Sequence, residues 1–197
     1  MKIFKYDIRV NTLIQKGVKP IHNDFFIALI TGYQGSGKTW FGVMLVSELK
    51  NKNIITNIKS LNIPGRKIHY FTTLNEIYNI NDRNCVFLID EVSKAFTKES
   101  KQDKQFYSWL QQSRKHERYV YLITQEYIQV PTWLRGVANK VYTTKQGILN
   151  TFITSLGKPV LNEDTKEWDT ENYLYFIYKR TKKICNYYDT YELVDRL

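Results

Sequence analysis

The sequence offers few means of holding itself together other than a core. Only two of its 197 residues are cysteine, Cys85 and Cys185, too few for a disulfide framework. Neither has neighbours at metal-ligand spacing. Cys85 opens an apolar strand and reads as a small core residue, and a reducing interior suits both. No apolar run approaches the length of a membrane span, and the amino terminus lacks the pattern of a signal peptide. The expectation is a soluble, intracellular chain with no membrane insertion. Internal repeats and low-complexity linkers are missing as well. Acidic residues are outnumbered, 19 against 29 Lys and Arg, which leaves a formal charge of +10 and a pI of about 9.4. That balance favours an anionic partner, nucleic acid ahead of membrane, although a basic soluble protein needs no such partner. At this length a single domain can bury a proper core.

Glycine is sparse too, nine in all, yet three fall within Gly32–Thr39, GYQGSGKT, directly after the apolar run Phe25–Ile30. An apolar strand, then Gly-x-x-x-x-Gly-Lys-Thr, then an amphipathic stretch is a phosphate-binding signature in its confirming context. The glycines let successive N–H groups curl inward, and the helix that follows adds its free donors and positive dipole end. The expected nucleotide-binding segment is Gly32, Tyr33, Gln34, Gly35, Ser36, Gly37, Lys38, Thr39 and Trp40. Lys38 is to reach the β- and γ-phosphates of ATP, and the Thr39 hydroxyl is to hold Mg²⁺. An accidental glycine turn is the bland alternative, and strand, loop and helix together argue against it.

Three further stretches carry candidate chemistry. In CVFLIDEVS, Cys85–Ser93, an apolar strand ends in Asp90-Glu91 and sets two carboxylates at the edge of the sheet where nucleotides bind. Asp90 fits the acid that holds the Mg²⁺ shell, and Glu91 fits a general base or water-orienter. Alone, such a pair is as often a helix start. In YVYLITQEY, Tyr119–Tyr127, Gln125 closes a core strand and can sense the γ-phosphate or the attacking water. In QQSRKHERY, Gln111–Tyr119, Arg114, Lys115 and Arg118 crowd one segment; a solvated basic helix face is the default. Arg114 is alternatively an arginine finger reaching a neighbouring subunit's nucleotide. Arg118, and Arg135 in PTWLRGVANK, are the other candidates for that place.

Strands alternating with helices between residues 25 and 124 argue for an α/β sandwich with a largely parallel sheet. The expected strands are Phe25–Ile30, Asn53–Asn57, Lys67–Phe71, Cys85–Ile89 and Tyr119–Thr124. Helices are expected over Lys38–Asn51, from Leu74, and within Ala95–Glu117. Beyond residue 140, short β segments at Lys140–Thr144, Leu149–Ser155, Tyr173–Lys179 and Ile184–Tyr188 read as hairpins added to one edge. Residues 1–24 form a lead-in with a strand at Lys2–Arg9, and residues 25–197 a single domain.

Taken together, GYQGSGKT, TNIKSLNIP (Thr56–Pro64), LIDEVS, QSRKHERYVYLITQ, the WLR segment and YYDTYE (Tyr187–Glu192) make the chain resemble one group. It is the FtsK/HerA branch of P-loop ATPases, in particular viral genome-packaging ATPases and the zonula occludens toxin-like assembly proteins of filamentous phages. The likeness spans roughly residues 25–192. The phosphate loop and the acidic pair are generic to many ATPases; the Ser-Arg-Lys before Ile-Thr-Gln and the Tyr-Asp-Thr-Tyr-Glu ending discriminate more. The resemblance implies a RecA-like three-layer sandwich with C-terminal β-hairpin additions, ATP and Mg²⁺ as ligands, and a homo-oligomeric ring, hexamer or pentamer, that moves DNA. It implies Lys38 and Thr39 as the phosphate-loop pair, Asp90 and Glu91 as the acidic motif, Gln125 as sensor and Arg114 as the trans-acting arginine. A stand-alone ATPase of this kind is closest to a packaging motor that docks on a capsid or portal-vertex protein, located in host cytoplasm or virion. The alternatives are a phage-extrusion motor and a nucleotide kinase; the second carboxylate and the want of an arginine-rich lid count against a kinase. Lys94, Lys98, Lys101 and Lys104 are candidates for gripping DNA, and the run Lys179–Lys183 is a second basic patch, expected at a hairpin tip.

Overall fold

A computed structural model describes residues 26–80, 83–95, 101–113, 115–148 and 150–189, with the side chains of residues 94, 95, 101–103, 173 and 174 excepted. The lead-in 1–24, with its expected strand, lies outside the described residues. Eight strands form one sheet: β1 (Ile27–Thr31), β2 (Asn53–Thr56), β3 (Ile68–Tyr70), β4 (Cys85–Ile89), β5 (Tyr119–Ile123), β6 (Lys140–Gln146), β7 (Thr151–Leu161) and β8 (Trp168–Lys179). Their order is β3-β2-β4-β5-β1-β6-β7-β8. Five parallel pairings join the first six, and β7 and β8 add antiparallel at the β6 side. The α/β sandwich with a mostly parallel sheet and added edge hairpin is the architecture expected from the sequence.

β1, β4 and β5 are buried at every position because helices cover both faces. On one face α1 (Lys38–Glu48) and a short helix, α5 (Lys182–Cys185), pack Trp40, Phe41, Val46 and Ile184 against Ile30, Leu88 and Tyr121. On the other, α2 (Leu74–Tyr78), α3 (Lys101–Gln112) and α4 (Thr132–Val137) bring Leu74, Phe106, Trp109 and Leu134 onto Leu29, Phe87 and Val120. Among the described residues no helix is long and apolar enough to cross a membrane.

Three expectations are corrected. Ile184–Tyr188 is not a strand: Lys182–Cys185 is helical, and Ile184 and Tyr188, four residues apart, are buried together. The segment leaves the helix at Asn186 and continues as a turn, with Tyr187 N–H donating to Ile184 O at 3.1 Å. The Lys179–Lys183 run consequently sits where β8 passes into α5, and the β7–β8 hairpin turns at residues 162–167 instead. β7 also runs six residues beyond the expected Ser155, through Gly157 and Pro159. Pairing with β6 ends at Gly157, so Pro159 lies on a strand edge, where its missing N–H costs no ladder bond. Beyond that point β7 and β8 continue as a two-stranded ribbon. Its turn end is tied back to the core: Arg135 Nη1 donates to Trp168 O at 3.2 Å, and the Trp168 ring lies against Gly136.

Candidate nucleotide-binding site

The carboxyl ends of β1, β4 and β5 meet at one rim of the sheet, and the chemistry-bearing segments follow each of them. After β1 the loop Gly32–Gly37 curls under two constraints. Gly37 has φ of 85° and caps α1, and a Cβ there would stand 2.5 Å from the Phe152 ring of β7. Gly32 has φ of 147°, and its Cβ would fall 2.3 Å from Thr144 O. Both positions are closed to any side chain. The loop therefore rests on β6 and β7, where Ser36 Oγ and Thr144 Oγ1 lie 3.0 Å apart and Thr144 Oγ1 donates to Thr31 O at 3.2 Å. The first intrahelical bond of α1 is Phe41 N–H to Gly37 O, 2.9 Å, which leaves the N–H groups of the first turn outside the ladder.

Lys38 Nζ donates to Tyr33 O at 2.9 Å, spanning the loop it is to share with phosphates. Burial lowers its proton affinity, and the charges of Asp90 and Glu91 oppose that shift. Thr39 Oγ1 donates to Asp90 Oδ2 at 2.9 Å, so the expected metal pair is in contact. Asp90 is 7% exposed, and burial pushes its carboxyl above the ordinary range against hydrogen bonds from Thr39 and the Glu91 N–H. A buried carboxylate beside a hydroxyl, at the mouth of a loop shaped for phosphates, fits Mg²⁺, which takes one or two protein oxygens and completes its shell with phosphates and water. Among the described residues no three or more His, Cys, Asp or Glu side chains are grouped so as to hold a metal ion.

Glu91 has φ of 56°, the left-handed region that non-glycine residues rarely adopt, and such strain collects at functional sites. Gln125 Nε2 donates to Glu91 Oε1 at 3.3 Å, which brings the sensor and base candidates together. Gly32 N–H donates to Gln125 O at 2.9 Å and Thr124 N–H to Ile30 O at 3.0 Å, so the strand carrying Gln125 is bonded directly to the one carrying the phosphate loop.

Some expected residues stand elsewhere. Trp40 is 2% exposed and packs on Phe152 and Tyr178, which confines it to offering a backbone N–H. Tyr33 is 72% exposed on the outer side of the loop. Arg114 lies outside the described residues. Arg118 sits at the opposite rim, buried, with its guanidinium 5.2 Å over Trp109 and 5.8 Å over Phe87 and Nη2 donating to Ile80 O at 2.7 Å. Those contacts make it a core residue and take it out of contention as an arginine finger. Arg135 lies 5.5 Å over the Tyr127 ring and holds the ribbon. Of the lysines expected to grip DNA, Lys104 is exposed on α3; Lys98 and the side chains of Lys94 and Lys101 are outside the described residues.

Sequence reasoning gave no role to Asn57. Its amide clamps the Asp90 peptide from both sides: Asp90 N–H donates to Asn57 Oδ1 at 2.8 Å, and Asn57 Nδ2 donates to Asp90 O at 2.9 Å. A polar residue closing a buried strand next to the acidic strand is the signal that marks it. Thr144 and Phe152 could not have been found the same way, because nothing local links residues more than a hundred positions downstream to the phosphate loop.

Comparison with known proteins agrees with this geometry. Residues 66–189, more than half of the chain, match the family described as zonular occludens toxin (Zot). No curated protein matches the sequence. Among solved structures, the N-terminal domain of zonular occludens toxin from Neisseria meningitidis is similar, with 21% identity and a TM-score of 0.61 over 84% of this chain and 100% of that one. The genome packaging NTPase of Sulfolobus turreted icosahedral virus 2, solved with ATP-gammaS, is 13% identical with a TM-score of 0.51, covering 76% of this chain and 97% of that one. The DNA-packaging ATPase of Sulfolobus turreted icosahedral virus gives the same identity and score over 76% and 98%. At these identities the structural likeness speaks for the fold, which is that of the P-loop NTPases. The sequence match goes further, and by it the chain belongs to the zonular occludens toxin family.

Proposed function

We propose that this chain is an Mg²⁺-dependent ATPase that moves phage DNA as part of a homo-oligomeric ring. The observation that carries the reading is the convergence of Thr39 on Asp90, 2.9 Å, beside Glu91 on Gln125, 3.3 Å, at the mouth of the phosphate loop. In this reading Lys38 exchanges the Tyr33 carbonyl for phosphate oxygens, and the first-turn N–H groups of α1 hold the same charge from behind. Thr39 and Asp90 hold the metal, which when bound neutralises charge on the phosphate oxygens. Glu91 orients and deprotonates the attacking water, and Gln125, hydrogen-bonded to it, reports the loss of the γ-phosphate through the β5–β1 bonds.

Membership of the zonular occludens toxin family favours the assembly-and-extrusion motor weighed from the sequence. The genome-filling motor is the second reading, supported by the likeness of fold to the viral packaging NTPases, and its partner is a capsid or portal-vertex protein. Finding the protein in purified particles supports filling, and finding it only at host membranes supports extrusion.

The test is ATP turnover with and without DNA for the wild type and for Lys38→Ala, which is expected to lose nucleotide binding and turnover together. Mixing Glu91→Gln with Arg114→Ala subunits is expected to recover turnover if the arginine acts across an interface. A wild type that hydrolyses no ATP in any assembly state, with or without DNA, overturns the reading.

A further inference from the structure

We propose that the amino-terminal rim of the parallel sheet, opposite the phosphate loop, is a second binding surface shaped for the phosphodiester backbone of nucleic acid. Cations stand at the start of one strand after another: Lys67 before β3, Lys50 and Lys52 before β2, Arg83 before β4, Lys115 before β5, and Lys140 at the first position of β6. Strand order places them in a row, because β3, β2, β4, β5, β1 and β6 are consecutive neighbours.

Contacts fix the row. Lys52 Nζ lies 5.2 Å from the centroid of the Tyr119 ring, Tyr119 meets Phe26 edge-on at 5.5 Å, and Lys140 Nζ stands 4.2 Å over Phe26. Two ammonium groups thus flank a buried aromatic pair. Asn53 N–H donates to Asn84 O at 2.9 Å and Asn84 Nδ2 to Asn51 O at 2.6 Å, which sets Arg83 beside Lys52. On the other face, burial and the charges of Arg118, Arg83 and Lys115 lower the proton affinity of His116. Lys50, Lys67, Arg83 and Lys115 are exposed, and among the described residues they enter no ion pair. Among the described residues the carboxylates at this rim are Glu48 and Glu117, against the six lysines and arginines of the row.

Five strand spacings make the row about 24 Å wide, long enough to track many phosphates of a duplex that carries one charge per roughly 1.7 Å of axis. A membrane surface is the weaker fit, since interfacial binding adds inserted apolar side chains to the cations. Here the rings are buried, and the exposed large apolar residues lie elsewhere: Tyr33, Tyr70, Ile128 and Ile148 at the opposite rim, the remainder on β7. With lysine and arginine heads and no base-reading element, the expected binding is salt-dependent and indifferent to sequence.

The choice of partner rests on the proposed function, but the readout is independent of ATP turnover. Fluorescence anisotropy is measured with a labelled duplex and a labelled single strand across a salt series, for the wild type and for Lys67→Gln/Arg83→Gln/Lys115→Gln. The variant is expected to bind DNA more weakly, with the slope of log affinity on log salt flattened by about 2.7 for the duplex, three contacts at roughly 0.9 each. It is expected to keep DNA-independent ATP turnover, which also shows that it folds; Lys67→Gln alone gives about a third of the change. Wild-type DNA affinity in the triple variant overturns the inference, and loss of its binding to phosphatidylserine vesicles in that case assigns the rim to lipid. An active ATPase whose DNA affinity is untouched by the triple substitution overturns the inference alone, and an ATPase that binds no DNA overturns both readings. A protein that binds DNA through this rim and hydrolyses no ATP overturns the proposed function alone.

Discussion

Replacing Asn57 tests whether the acidic motif is held in place or merely follows its strand. The side chain is 4% exposed and makes two short hydrogen bonds to the Asp90 peptide. Asn57→Ala leaves a buried N–H and a buried C=O without partners, each costing about 1–3 kcal/mol, so a total of about 2–6 kcal/mol is expected. That is a large share of the roughly 5–15 kcal/mol by which domains are stable. Asp90 in turn accepts from Thr39, and a shift on the order of 1 Å at a reacting centre lowers turnover by about 100-fold. Urea unfolding with an unchanged slope reads the first effect, and ATP turnover at saturating nucleotide the second. Asn57→Leu separates the causes, since it fills the volume but bonds nothing. If Leu restores stability and turnover to near wild type, the amide is only filler and the clamp is refuted.

Glu91→Gly relieves a strained φ and is expected to raise stability by about 1 kcal/mol while turnover falls by about 100-fold or more; unfolding midpoints and phosphate release read the two directions. Phe152→Ala removes the ring beneath Gly37 and is expected to cost about 3–5 kcal/mol and to weaken nucleotide binding, checked by denaturation and nucleotide titration. Asp90 has a raised proton affinity in the fold, so its destabilisation is fully present above its folded pKa and gone below its unfolded one. The nucleotide-free wild type should therefore gain stability relative to Asp90→Asn as pH falls through that window, and parallel pH profiles of the two proteins contradict this.

What the sequence made legible is what short range controls. Cys85–Ile89 and Tyr119–Thr124 announced themselves by unbroken apolar character, and the glycine loop, acidic pair and glutamine are residues that the fold brings together at one rim. Strand ends misled where tertiary context won: Gly157 and Pro159 look like terminators, yet β7 passes through both because the β6 ladder stops there. The pair Ile184 and Tyr188 fits either period over five residues, and only the core beneath them decides that a short helix and turn bury both. Arg118 looked catalytic because charge is visible in a sequence and burial between Trp109 and Phe87 is not. Asn57, Thr144 and Phe152 act through contacts with segments remote in the chain, which no local pattern encodes.

β1, β4 and β5, buried at all five positions, also set a mechanical constraint. A close-packed slab about 17 Å from rim to rim has no slack to absorb a displacement by repacking one side chain at a time. In the proposed ring motor, whatever loss of a phosphate does at one margin would arrive at the other as a tilt of the entire slab, with the compliance lying in the joints between copies.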